Sequence, residues 1–381
     1  MRKNEEHLFN VPYPHESDNA DFDRFFARTV GLQLTEMLRL SDALVGDLSG
    51  TPPFGIGWWA AHKTIGDKQR ILIGDALCQA LLSVPDNLIE ARLHLFESLD
   101  WLDRERKHMR DAVSFASNGT PKIRSPSVAK HGLDQRMIHM HATGFLRAIN
   151  STFDCLGAVI IGVLALPSPI LTADLGRARR AMRDVKPAGT PGERAQAEFS
   201  REFESLIESV GPAGWLQWAS DFRNMLTHRG RRMQFGQLHI EPSRVTDKHG
   251  RPNPVARVVR SMPTEPGWCE VDASLQPRAL MLEEASSDTM EGLLKSTIDL
   301  IEGSSRLLFR FWSMRRSDPA SLPQPAAQWA KPGSPRSAGF DGYSGRLGQM
   351  GDSIVMNPTD IRRFAAAALT NENRKLWAGF T

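Results

Sequence analysis

A short run in the second half of the chain, Asp221-Phe222-Arg223-Asn224-Met225-Leu226-Thr227-His228-Arg229-Gly230, gathers the side chains best suited to chemistry. An arginine and a histidine are separated by four residues, and a polar residue, Asn224, directly follows the arginine. On a helix, residues four apart share a face, so Asn224 falls beside His228 and Arg223 flanks Thr227. The arginine fork stays charged and can hold two oxygens of a phosphate, which lysine imitates poorly. A histidine in the last turn of a helix feels the negative end of the backbone dipole. This favours its protonated form and suits it to protonate a leaving oxygen. Arg229, Arg231 and Arg232 follow directly and offer further positive charge to a phosphate backbone.

The bare Arg-x4-His spacing also occurs elsewhere. Arg2 to His7 lies in a charged N-terminus, Arg244 to His249 in a loop between strand-like segments, and Arg136 to His141 in a long helix with apolar Met137 after the arginine. Only Arg223 to His228 combines the Asn, a late-helix position, a glycine just beyond and a long amphipathic helix before it. The competing reading of Arg223 and His228 is an ordinary helix ending, where basic groups meet unsatisfied carbonyls. Arg177, Arg179, Arg180, Arg183 and Lys186 form a second basic segment, interrupted by Asp184, and read better as a solvated helix face than as an RNA contact. His131, His139 and His141 do not make a metal site, since two positions two apart on a helix point in different directions. Trp215 and Trp218 fit packing better than base stacking. Gly342, Gly345, Gly348 and Gly351 lack the strand and the Lys-Ser/Thr ending of a phosphate loop.

The elements that must position this run are helical. Phe22, Phe26, Val30, Leu34 and Met37 make one apolar stripe, a shorter helix is expected over 68–82, and Leu88 to Val113 carries a second stripe. The segment Ser49 to Trp59 reads as a loop ending in paired tryptophans. From about Gly132, apolar residues recur at three- and four-residue steps until Pro167 and Pro169 stop the pattern. Thr190-Pro191-Gly192-Glu193 is a capping box with proline at the first helical position. Gly211-Pro212 breaks the chain before the helix that carries Arg223, and Gly230 offers a left-handed stop. Alternating segments near 233–262 read as a β-hairpin excursion. Asp288-Thr289-Met290-Glu291 opens a further capped helix, and beyond Ser317 the chain turns rich in Pro, Ser and Gly, with a short helix expected from Asn357.

These segments imply a mainly α fold: an antiparallel helical bundle over 132–316 with a small β-hairpin insertion, an N-terminal helical region over 1–117, and an irregular tail over 317–381. The 381 residues include 41% hydrophobic and 24% charged residues, the balance of a chain that buries a core. The net charge of +3 neither demands nor excludes nucleic acid. Cys78, Cys155 and Cys269, odd in number and without CxxC spacing, point to a reducing, cytoplasmic setting. The charged start of the chain does not read as a secretory signal. The apolar run Phe153 to Leu166 is shorter than the roughly 20 residues a membrane span needs, so no membrane partner is expected.

The run Arg223-Asn224-Met225-Leu226-Thr227-His228 resembles the signature of the HEPN superfamily, helical bundles that include metal-independent endoribonucleases of toxin, abortive-infection and CRISPR-linked systems. The segment Ile149-Asn150-Ser151-Thr152-Phe153-Asp154-Cys155-Leu156-Gly157 resembles the long early helix of such bundles. The resemblance covers about Gly132 to Arg315, roughly half the chain. It implies attack of a ribose 2′-hydroxyl on the adjacent phosphate, with His228 moving protons, Arg223 stabilising the developing charge and Asn224 completing the site. Thr227, Arg229, Arg231 and Arg232 would contact the RNA, with no metal and no cofactor. It also implies a homodimer, because such sites are built from two facing motifs, and it admits an antitoxin or other regulatory protein as partner. The alternative is a noncatalytic helical module that binds RNA or a protein.

Overall fold

The computed structural model describes residues 30–49, 67–115, 121–123, 128–185, 189–229, 235–246, 252–265, 280–317 and 363, and the chain is mainly helical. The described helices are α1 (Thr35–Ser49), α2 (Asp67–Ala112), α3 (Val128–Leu164), α4 (Leu175–Arg183), α5 (Pro191–Ser209), α6 (Trp215–Arg229) and α7 (Ser286–Ser317). Two antiparallel strand pairs accompany them: β1 (Val113–Phe115) with β2 (Pro121–Ile123), and β3 (Phe235–Thr246) with β4 (Pro252–Ser261). In the longer pair Pro242 stands opposite Pro254, so neither supplies a backbone N–H, and the register shifts between Pro242 and Thr246.

Several boundaries differ from the sequence expectation. The helix expected over 68–82 and the stripe beginning at Leu88 are one continuous helix, α2, with Pro85 inside it. Proline removes one helical hydrogen bond at a cost of about 3 kcal/mol. Leu81, Leu82, Val84 and Leu88 are all buried, so the apolar face continues across the break and burial outweighs the lost bond. Val113 leaves the helix to open β1, where it pairs with Ile123 of β2. Val30 and Leu34 are buried but precede α1, and Gly31 takes the positive φ of 73° that the chain needs there. Helix α7 starts at Ser286, before Asp288. Phe22 and Phe26, all but the first residue of the Ser49 to Trp59 segment, Gly230 and the start of the tail helix at Asn357 lie outside the described residues.

By contacts the chain divides into one unit of Met1–Asp86, Thr152–Leu206 and Ile301–Thr381 and another of Asn87–Ser151 and Ile207–Leu300. Each takes part of α2, α3, α5 and α7, so this division falls inside helices.

In the first unit several helix ends are closed by side chains, some from the helix itself and some from other elements. The Glu36 and Met37 amides at the start of α1 donate to the Glu302 carboxylate at 2.9 and 3.0 Å, and burial raises the pKa of that carboxyl. The capping box forms at α5, where the Thr190 amide donates to Glu193 at 2.7 Å and the Glu193 amide donates to the Thr190 hydroxyl at 3.3 Å. The end of α3 is fully accounted for. Ala165 adopts φ 53°, and the Leu166 amide donates to the Ile161 carbonyl at 3.1 Å, the pattern of a Schellman ending. Arg315 Nη1 donates to the carbonyls of Gly162 and Val163 at 3.1 and 2.7 Å, and Gln196 Nε2 to that of Leu164 at 2.5 Å. All four terminal carbonyls of a buried helix end are thereby satisfied. Burial pushes the Arg315 guanidinium down to about 9, so it remains a cation at neutral pH, at the negative end of the α3 dipole.

In the second unit Arg260 at the end of β4 holds the buried Glu105 of α2 through two nitrogens, which ties the strand pair to the helix. Residues Gly132–Leu164 of α3 are long and apolar enough to cross a membrane, but 78% of the apolar window is buried inside the protein, which marks a core helix.

Candidate functional site

The second unit holds α6, and its sequence sorts into two faces. Trp215, Leu216, Ala219, Phe222 and Met225 are buried, whereas Gln217, Asp221 and Asn224 are exposed. Two tryptophans lock the helix: Trp215 Nε1 donates to the Ile207 carbonyl at 3.0 Å, and Trp218 Nε1 to the Pro263 carbonyl at 3.1 Å. Trp218 also lies against Phe222, with ring centroids 4.5 Å apart. Both tryptophans thus have packing roles, as their positions in the pattern implied.

From α3, the buried Asn150 sends Nδ2 to the carbonyl of Leu146 in its own helix at 2.9 Å and to that of Ala219 in α6 at 3.2 Å. An amide buried between two helices is costly unless bonded, so these bonds set the position of α6 against α3. Asn150 was legible in the sequence only as part of a resemblance. Its partner, a backbone carbonyl 69 positions away, leaves no trace in residue types.

On this scaffold the structure brings Arg223 and Asn224 together, with Arg223 Nη1 donating to Asn224 Oδ1 at 3.2 Å. Asn224 is exposed and Arg223 half-buried. Asp221 accepts from Gln217 at 2.8 Å. Thr227, His228 and Arg229 form the last turn of α6. Their side chains, and all of Arg231 and Arg232, lie outside the described residues. The arrangement presents a guanidinium and an amide on one helix, in the turn before a histidine, at the end where the dipole is negative.

In the other basic segment, Arg179 of α4 pairs through two nitrogens with Glu204 at 2.8 and 2.5 Å, and Arg177 pairs with Asp174 at 3.4 Å. Both charges are answered within the protein. Lys186 lies outside the described residues.

Sequence reading missed a cluster between α2 and α3. His94 Nδ1 lies 3.1 Å from His141 Nδ1, with ring centroids 5.4 Å apart. Glu90 lies 3.7 Å from His94 Nε2, and Arg147 donates to Glu90. His141 had drawn attention beside His139, but its neighbour is on another helix, 47 positions away. Burial, then the adjacent His141, lowers the pKa of His94 from its ordinary 6.5; Arg147 acts in the same sense and Glu90 opposes. A histidine with a depressed folded pKa is stabilising when neutral. Stability is therefore retained above pH 6.5 and lost as the pH falls from there through the folded value, because the unfolded chain takes up the proton first. The urea midpoint of the parent is expected to drop between about pH 7 and pH 5.5 more steeply than that of His94→Gln. Equal slopes would remove His94 from the acid response.

No protein-family model, curated protein or solved structure matches the chain. The functional reading therefore rests on α6 and on the sequence resemblance.

Proposed function

We propose that the chain is a metal-independent endoribonuclease of the HEPN type, acting in prokaryotic stress response or defence. The observation that carries this reading is the Arg223–Asn224 hydrogen bond on α6, with His228 following Asn224 by one helical turn. In the mechanism, Arg223 binds non-bridging phosphate oxygens and meets the charge that grows on them as the 2′-hydroxyl attacks. Asn224 holds the arginine fork and would orient His228. The 2′-hydroxyl loses its proton to solvent as its oxygen bonds to phosphorus, and His228 gives a proton to the 5′-oxygen as the P–O5′ bond breaks, so the products carry a 2′,3′-cyclic phosphate and a 5′-hydroxyl. Thr227, Arg229, Arg231 and Arg232 would follow the RNA backbone.

The same reading takes the helices over 132–316 as a HEPN-like bundle and β3–β4 as its insertion. The protein would be a cytoplasmic homodimer in which two α6 ends face each other and double the positive charge at the cleft. The reading admits an antitoxin or another regulatory protein as partner.

The test is incubation of purified full chain with mixed cellular RNA in excess EDTA, with end-group analysis of the products. Cleavage leaving cyclic phosphates supports the proposal. Absence of cleavage by a folded dimer that still binds RNA would replace it with a noncatalytic RNA-binding module, and absence of RNA binding as well would replace it with a protein-binding one.

A further inference from the structure

We propose that His94 and His141 form a binding site for one divalent transition-metal ion of the class that prefers imidazole, zinc foremost, bridging α2 and α3 through the two Nδ1 atoms. This inference is independent of the ribonuclease reading, since neither histidine belongs to α6.

Three observations converge on it. The first is distance. Two nitrogens bound to one zinc ion at about 2.0–2.1 Å each, with an angle between tetrahedral and square, stand about 2.8 to 3.4 Å apart. The two Nδ1 atoms are 3.1 Å apart. The nitrogens already stand at that separation, and each ring has to turn by roughly 40° to bring its lone pair off the N···N line and onto the ion.

The second is the surrounding shell. A metal-bound histidine commonly turns its other ring nitrogen to a carboxylate, which fixes the tautomer and makes the ligating nitrogen a better donor. Here Glu90 stands 3.7 Å from His94 Nε2, and Arg147 in turn holds Glu90. Glu90 thus favours the Nε2–H form of His94 and leaves the Nδ1 lone pair directed at His141. With the His94 proton on Nε2, the metal-free hydrogen bond between the rings is one in which His141 Nδ1 donates to His94 Nδ1. On binding, the His141 proton moves to its Nε2, and both Nδ1 lone pairs face the ion, with no net change of charge on either ring.

The third is the shape of the helix beneath. A Cβ at position 144 would lie 2.4 Å from His94 Nε2, so Gly144 is what lets the ring lie down on α3. The pair is also reachable, with the His94 side chain 26% exposed and that of Glu90 38% exposed. Among the described residues no group of three or more His, Cys, Asp or Glu is placed to hold an ion. Water must then complete the coordination shell, and the open positions make this a site for an exchangeable ion. Zinc, nickel and copper suit such a pair better than magnesium or calcium, which require oxygen ligands.

The experiment is calorimetric titration of Zn²⁺ into the full chain after removal of metals with chelator and dialysis. One ion per chain is expected at this site. Its affinity should fall at least tenfold in His94→Ala and in His141→Ala, and on the order of tenfold in Glu90→Gln. Gly144→Ala retains both histidines yet lifts the His94 ring, and is expected to weaken binding as well. It serves, with His94→Gln and His141→Gln, should an alanine variant fail to fold by circular dichroism. The proposal is overturned if the parent binds no more zinc than the His94→Ala/His141→Ala double variant, or if the folded single variants bind as the parent does.

Discussion

His228→Ala is expected to lower the rate of RNA cleavage in EDTA by about 10²–10⁴-fold, the range for loss of a positioned proton-transfer group. Arg223→Lys should fall by about 10²–10³-fold, because an ammonium keeps the charge but cannot hold two phosphate oxygens in the plane of a guanidinium. The two variants should part in their pH profiles. Removal of the histidine abolishes the limb set by its titration, whereas the lysine variant keeps that limb at a lower rate. Both positions belong to a helix anchored through Trp215, Trp218, Phe222 and Met225, so melting temperature should barely move in either case. The ordinary helix-ending role makes the opposite forecast: a modest loss of stability with cleavage unaffected. Full activity in a folded His228→Ala protein would end the assignment of this run as a catalytic site.

Arg315→Ala is expected to destabilise the chain by roughly 3–5 kcal/mol, measured as the free energy of urea unfolding. The side chain is fully buried, and its Nη1 serves the carbonyls of Gly162 and Val163. Hydrogen bonds to charged groups contribute about 1.5–3 kcal/mol each, and alanine would also leave two carbonyls without this donor in a dry environment. Removing a buried cation regains part of its desolvation cost, which limits the loss. Arg315→Met separates the contributions, since it fills most of the volume and offers no donor. It should lie between the parent and Arg315→Ala. A methionine variant as stable as the parent would show that the carbonyls at the end of α3 do not depend on the guanidinium.

Much of the helical framework was legible because its causes are local. The capping box at Thr190 and Glu193, the halt of α3 ahead of Pro167, and the inward face of α6 through Phe222 and Met225 all follow from neighbours a few positions apart. Reading failed where a local signal met a larger nonlocal one. The helix expected over 68–82 and the stripe from Leu88 are one element, because burial on both sides of Pro85 holds α2 together. Val113 continued a helical stripe by position, yet its pairing with Ile123 drew it into β1.

The sequence by itself determined which residues could do chemistry on α6, since the spacing of Arg223, Asn224 and His228 along one helix is a matter of helical pitch. Only the tertiary structure decided what holds that helix and which other groups meet. Asn150 reaches the Ala219 carbonyl, Arg315 reaches the end of α3, and His94 reaches His141, each across a separation that no pattern of types encodes. The physical reason is that helical periodicity specifies which face of a segment is buried, while the partner of a buried polar group is set by how separate helices pack.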